Sequence, residues 1–173
     1  MTTMTVTPDS TTHSFVRALK GAAIALTLLS SGAAAQAMES PFSNLNGFWS
    51  GPGVITLASG ARQTIRCRAT YNVDRSGINL NIALRCASES YKFELQSSVS
   101  HSNGEVSGYW NETTYGVGGT IHGNGTLGRI NVRAEGPFSA MLAMNTRADR
   151  QSISIVSPGS PLSEVAISLN RGK

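Results

Sequence analysis

The chain has 173 residues, a formal net charge of +4, eighteen glycines and two cysteines. That length fits one folded domain rather than two. No run of five or six like charges occurs, which removes the usual tail for nucleic acid or a membrane surface, so neither partner is expected.

The first segment reads as a targeting sequence. Arg17 and Lys20 precede the apolar run GAAIALTLLSSGAAA, which ends at Ala35-Gln36-Ala37. A basic start, a short apolar stretch and an A-x-A site predict a secretory signal peptide over 1–37, cleaved after Ala37. The run is shorter than the roughly 20 residues a spanning helix needs. The expected destination is the periplasm or the medium. Residues 38–46 then form an N-terminal extension, and 47–173 a single β domain.

From Gly47 onward the sequence alternates strands with turn clusters. Ten strands are predicted, at 47–57, 63–73, 78–86, 91–99, 105–112, 117–122, 127–135, 138–145, 151–157 and 164–170. Between them lie ASG (58–60), DRSG (74–77), SNG (102–104), GNG (123–125), EGP (135–137) and PGSP (158–161). Turn signals at such regular spacing mark an all-β sandwich or barrel. The period-two pattern is clearest early. Ile65, Cys67, Ala69, Tyr71 and Val73 share one face, while Thr64, Arg66, Arg68, Thr70 and Asn72 share the other. Ile78, Leu80, Ile82, Leu84 and Cys86 continue the apolar face, followed by Tyr91, Phe93, Leu95 and Val99. One face therefore packs on a core and the other meets water. Sequential strands joined by short turns favour an antiparallel up-and-down barrel of about 8–10 strands, which leaves no open edge. A two-sheet β-sandwich is the alternative.

Both cysteines fall on the apolar face of adjacent strands. A hairpin that pairs Val73 with Leu80 brings Cys67 opposite Cys86, a register shifted by two places them diagonally, and with either a disulfide is expected in an exported chain with an even cysteine count. In the chain-entropy picture a loop of about 20 residues contributes about 3 kcal/mol.

Motifs that carry chemistry are sparse. Gly123-Asn124-Gly125-Thr126-Leu127-Gly128 spells G-x-G-x-x-G, but the fingerprint holds a pyrophosphate only before a helix. The residues that follow, RINVRAEG, alternate as a strand, so Asn124-Gly125 is predicted to be a hairpin turn. His101 and His122 have no acidic or thiol neighbour at metal-ligand spacing, and no G-x-S-x-G elbow occurs. Glu94, Glu112 and Glu135 could supply a carboxylate pair for glycoside chemistry, although Glu94 and Glu135 read as outward, solvated positions. No metal, cofactor or catalytic residue is expected. Arg66, Arg68 and Arg85 project from the outer side of the first hairpin and form a candidate anion patch, since guanidinium groups grip oxyanions bidentately. Tyr71, Phe93, Trp110 and Leu142 are inward positions and form the candidate cavity lining, because a small barrel interior is either filled or holds one small ligand.

Gly47-Phe48-Trp49 resembles the G-x-W of the first strand of calycin barrels, the group that includes lipocalins and avidins. The resemblance implies that Trp49 plugs one barrel end and that a basic residue near the last strand packs over it. Arg171 holds that place, on the face shared by Val165, Ile167 and Leu169. It covers the first strand and the tail only. The chain is also similar to small exported bacterial proteins, among them periplasmic protease inhibitors with one disulfide. The expected function is a non-catalytic exported binding module for a small apolar or amphipathic ligand or a protein. A small outer-membrane barrel, a protease-inhibitor-like protein and an exported hydrolase are the alternatives.

Overall fold

A computed structural model describes residues 39–172. The expected leader over 1–37 lies outside the described residues. Ten strands follow one another: β1 (Gly47–Leu57), β2 (Arg62–Val73), β3 (Asn79–Ala87), β4 (Lys92–Ser102), β5 (Glu105–Glu112), β6 (Val117–Thr126), β7 (Arg129–Glu135), β8 (Ala140–Arg147), β9 (Arg150–Val156) and β10 (Leu162–Arg171). Each pairs antiparallel with its sequence neighbours, and β1 pairs with β10, so the sheet closes into a barrel without edges. The sandwich alternative is thereby excluded.

The alternation of the sequence becomes inside and outside. Ile65, Cys67, Ala69 and Tyr71 on β2 are buried, as are Leu80, Leu84 and Cys86 on β3. Ile55, Ile121, Val132, Met144, Ile153 and Ile167 fill the middle of the barrel. Polar side chains cover the outer wall, including Arg66, Arg68, Asn81, Arg85, Gln96, Ser98, Ser100, Arg133, Asn145, Ser152 and Ser168, all exposed. Of the two registers the turn allows, the first hairpin takes the one with Val73 opposite Leu80 and Cys67 opposite Cys86. The two cysteines form a disulfide across the strands, with Cα atoms 4.1 Å apart.

Local chemistry fixes the turns. Asn103 and Gly104 both take positive φ, 49° and 88°, between the paired Ser102 and Glu105. That is the backbone a two-residue hairpin loop requires, and Asn-Gly is the sequence that tolerates it. Asp74 organises the β2–β3 turn by accepting hydrogen bonds from Ser76 Oγ and from the backbone N–H groups of Ile78 and Asn79.

Two sequence expectations are corrected. Asn124-Gly125 is not a turn; β6 continues through it and the chain reverses at Leu127-Gly128, where Gly128 has φ 71°. Gly125 is instead a close approach, since a Cβ there would lie 2.8 Å from Pro41 Cγ and 2.9 Å from Val106 Cγ2. The G-x-G-x-x-G run is thus one arm and the turn of a β hairpin, with no helix to receive a phosphate. Ile78 falls in the turn before β3, where it is exposed rather than on the apolar face.

In an up-and-down barrel alternate connections share an end. One end gathers the β2–β3, β4–β5, β6–β7 and β8–β9 turns together with residues 39–46. This segment is folded into the barrel, with Phe42 and Leu45 buried. The Phe42 ring meets the edge of His101 at 6.1 Å, and Ser40 Oγ donates to Gly77 O. The other end gathers the remaining five connections, and the two ends differ in chemistry.

Candidate functional site

The first end is sealed. Trp49, 1% exposed, is held by its indole N–H, which donates to Leu45 O at 2.8 Å, and it meets the Tyr71 ring edge-on at 6.3 Å. Arg171 is the residue opposite Trp49 on β10, and its guanidinium carbon lies 4.4 Å from the Trp49 ring centroid. Its Nη atoms donate to the backbone oxygens of Asn44 and Asn46, and its Nε to Asp149 Oδ1 at 3.1 Å. One planar cation therefore ties the lead-in to β1, the plug and the β8–β9 turn. Beneath it runs a buried polar chain in which Tyr71 OH donates to Gln151 Oε1 and Gln151 Nε2 donates to Thr146 Oγ1. Burial drives the Tyr71 phenol well above its ordinary pKa, against the smaller opposing effect of the Gln151 hydrogen bond.

At the opposite end the inward side chains are only half-buried. Phe93 and Leu95 of β4, Trp110 of β5, Ala134 of β7, Leu142 of β8, Ile155 of β9 and Val165 of β10 ring the mouth. Trp110 donates its indole N–H to Glu135 O at 3.2 Å, which fixes its ring at the rim. The adjoining loops present Tyr115 (62% exposed) and Phe138 (52%). Of the four side chains expected to line one cavity, Phe93, Trp110 and Leu142 belong to this mouth and Tyr71 does not. Tyr71 sits four residues beyond Cys67 on β2, about 13 Å along the strand from the Cys67–Cys86–Phe93 row. Strand tilt in a closed barrel separates positions that strand pattern alone groups together.

Arg66, Arg68 and Arg85 do meet, on the outer wall. With Ser50, Lys92 and Glu94 they surround a groove of about 510 Å³ that Gly51, Cys67 and Cys86 also border, the disulfide itself facing the barrel interior. Arg68 stands directly opposite Arg85. Glu94 is the acidic side chain in the groove, with Lys92 Nζ at 3.1 Å and Arg85 Nε at 3.9 Å. These ion pairs, chiefly the Lys92 hydrogen bond, hold its carboxyl below the ordinary range.

Sequence reasoning missed Glu112 as a buried group. It is 2% exposed, and its carboxylate accepts the backbone N–H groups of Glu94 (2.8 Å), Thr114 (3.1 Å) and Tyr115 (2.7 Å). Burial opposes its ionisation, but these donors outweigh the cost and lower its pKa. The available signal was parity, since Glu112 shares the inward face of Val106 and Trp110. The carboxylate pins the β5–β6 loop at the mouth and has no second carboxylate facing it, because Glu94 and Glu135 point outward. His101 is also engaged, its Nε2 accepting the Gly104 N–H at 3.1 Å, while His122 is exposed on the outer wall. Among the described residues no group of three His, Cys, Asp or Glu is placed to hold a metal ion, and no helix is long and apolar enough to cross a membrane.

No protein-family profile matches the sequence, and no curated protein does. Among solved structures, the crystal structure of Rv2717c from M. tuberculosis is similar, with a TM-score of 0.62 and 15% identity over 76% of this chain and 94% of that one. The chain is thus a closed ten-stranded antiparallel barrel consistent with a calycin-like or related fold, with one end sealed and the other lined by half-buried apolar side chains.

Proposed function

We propose that the chain is an exported, non-catalytic binding module that takes a small apolar or amphipathic ligand at the mouth ringed by Phe93, Trp110 and Leu142. The observation that carries this reading is the asymmetry of the ends. Inward side chains under Trp49 and the 39–46 segment are buried, apart from the partly buried Val73, whereas Phe93, Leu95, Trp110, Leu142, Ile155 and Val165 at the other end are only half-buried. A contiguous patch of partly exposed apolar side chains at one end of a barrel is what a binding site for an apolar group presents. The middle of the barrel is filled, so the ligand is one that enters the mouth rather than one enclosed at the centre. Export is supported by the disulfide, which persists in oxidising compartments, and by the leader pattern. The absence of catalysis is supported by the engagement of Glu112 and His101 with backbone partners. A lipid-facing barrel would carry an apolar band outside, and here exposed Arg, Asn, Gln and Ser side chains outnumber the outward Phe48, Tyr109, Met141 and Val156.

A protein partner held by the same rim is the second reading, favoured by the exposure of Tyr115 and Phe138 on loops. The test is titration of the oxidised protein with a fluorescent fatty acid, read by quenching of Trp110. Saturable binding that Leu142→Glu weakens at least tenfold supports the mouth. No saturation at any soluble concentration of the probe would remove the small-ligand reading.

A further inference from the structure

The outer groove across β2 and β3 opens on a different surface from the mouth, although Phe93 of the mouth also borders it. Three features meet there. Arg66, Arg68, Arg85 and Lys92 converge on one concavity of about 510 Å³, within the size range of small-molecule sites. Arg68 and Arg85 are directly opposed across β2 and β3, so their Cβ atoms are about 5 Å apart and like charge repels like. Glu94, the acidic side chain of the groove, is held by Lys92 and Arg85. Neither Arg66 nor Arg68 has a carboxylate within ion-pair distance among the described residues.

We infer that this groove binds a phosphate group, with Arg68 and Arg85 gripping it from two strands and Arg66 and Lys92 flanking them. The geometry suits a compact dianion better than a flat surface. Alternate residues on a strand are about 7 Å apart, so Arg66 and Arg68 reach the same small group from one side. Each guanidinium offers paired N–H donors matched to oxyanion edges. The Ser50 hydroxyl, opposite Arg68 on β1, adds a neutral donor at the same rim. The disulfide fixes β2 to β3 one register step from the Arg pair, so the cations cannot splay by separating the strands. The phosphate belongs either to a soluble phosphoester or to a lipid headgroup, whose chemistry at the groove is the same.

The experiment is NMR titration of the oxidised protein at low salt with inorganic phosphate and pyrophosphate. Expected are saturable shifts at Arg66, Arg68 and Arg85, with affinity reduced at least tenfold in Arg68→Gln and in Arg85→Gln and unchanged in Arg133→Gln on β7. Melting curves establish that each variant is folded, and Arg68→Gln is expected to melt no lower than the parent, because it removes a repulsion without breaking an ion pair. Cosedimentation with phosphatidylglycerol against phosphatidylcholine vesicles separates the sources: retention by the former alone, lost in Arg68→Gln, assigns a headgroup, and its absence alongside pyrophosphate binding assigns a soluble phosphoester. Shifts that do not saturate, or that survive in the Arg68→Gln/Arg85→Gln double variant, overturn the site. So does binding of polyglutamate without binding of either phosphate.

Discussion

Arg171→Ala tests whether the sealed end is held by one cation. The side chain makes three kinds of contact: the face of Trp49 at 4.4 Å, two backbone carbonyls at Asn44 and Asn46, and Asp149. A partly desolvated cation–π contact contributes about 1 kcal/mol. Hydrogen bonds from a charged donor contribute about 1.5–3 kcal/mol each when buried, and these carbonyls are solvent-accessible, so about 0.5–1 kcal/mol each is the appropriate figure. The Asp149 pair is exposed and adds a few tenths, roughly, of a kcal/mol. The expected loss is therefore about 2–3 kcal/mol, or about 8–12 °C in melting temperature for a domain of this size.

The assay is urea denaturation of the oxidised protein followed by tryptophan fluorescence, with Arg171→Lys and Asp149→Ala alongside. Lysine keeps the charge but loses the planar fork that reaches two carbonyls at once, so it is expected to recover less than half of the loss. Asp149→Ala should change stability by under about 0.5 kcal/mol. Full rescue by lysine would refute the argument from geometry, and an Arg171→Ala loss below about 0.5 kcal/mol would refute the latch itself.

Two further outcomes follow from the wall and the mouth. Replacing Cys67 and Cys86 together by serine should cost about 3 kcal/mol, from a sequence separation of 19, and the deficit should vanish when both proteins are compared under reductant; a deficit that persists there points to packing instead. Glu112→Gln should destabilise by about 1–3 kcal/mol, because an amide NH₂ must face one of the three backbone donors. The folded-state pKa of Glu112 is lowered, so its contribution is complete above the unfolded value near pH 4.3 and is lost as pH falls through the folded value. Denaturation at stepped pH should show a shallower acid limb in Glu112→Gln, and an unchanged slope would remove the carboxylate from the acid response.

Much of the barrel was legible because its signals are local. Alternation along 63–73 set the inner face of β2, and the Asn103-Gly104 dipeptide set a turn whose φ values only such residues adopt cheaply. The errors came where tertiary contact overrules a local signal. Asn124-Gly125 carries the same dipeptide, yet Gly125 is needed because Pro41 and Val106 pack where a side chain would stand. Residues 39–46 were read as an extension because eight residues without period two give no strand signal, although Pro41, Phe42 and Leu45 together cover the barrel end. Grouping Tyr71 with Phe93, Trp110 and Leu142 failed for a different reason. Parity says which face a residue is on but not how far along the axis it lies, and tilt makes that distance large.

The two ends also divide stability from recognition. At the sealed end a set of polar groups is paired within the fold: Tyr71 with Gln151, Gln151 with Thr146, the Trp49 indole with Leu45, and Arg171 with three backbone and side-chain acceptors. The Trp49, Tyr71 and Gln151 bonds resist opening because each one broken leaves a buried group unsatisfied. At the mouth, Glu112, Trp110 and Ser157 tie loops and rim to backbone partners, yet the apolar ring stays half-buried. Substitutions at Trp49 or Arg171 should therefore lower stability and leave affinity at the mouth unchanged once the protein is folded. Those at Leu142 or Trp110 should do the reverse. If the first group altered affinity in the folded protein, the ends would be coupled through the filled core, and the ligand would have to be seated deeper than the half-exposed ring.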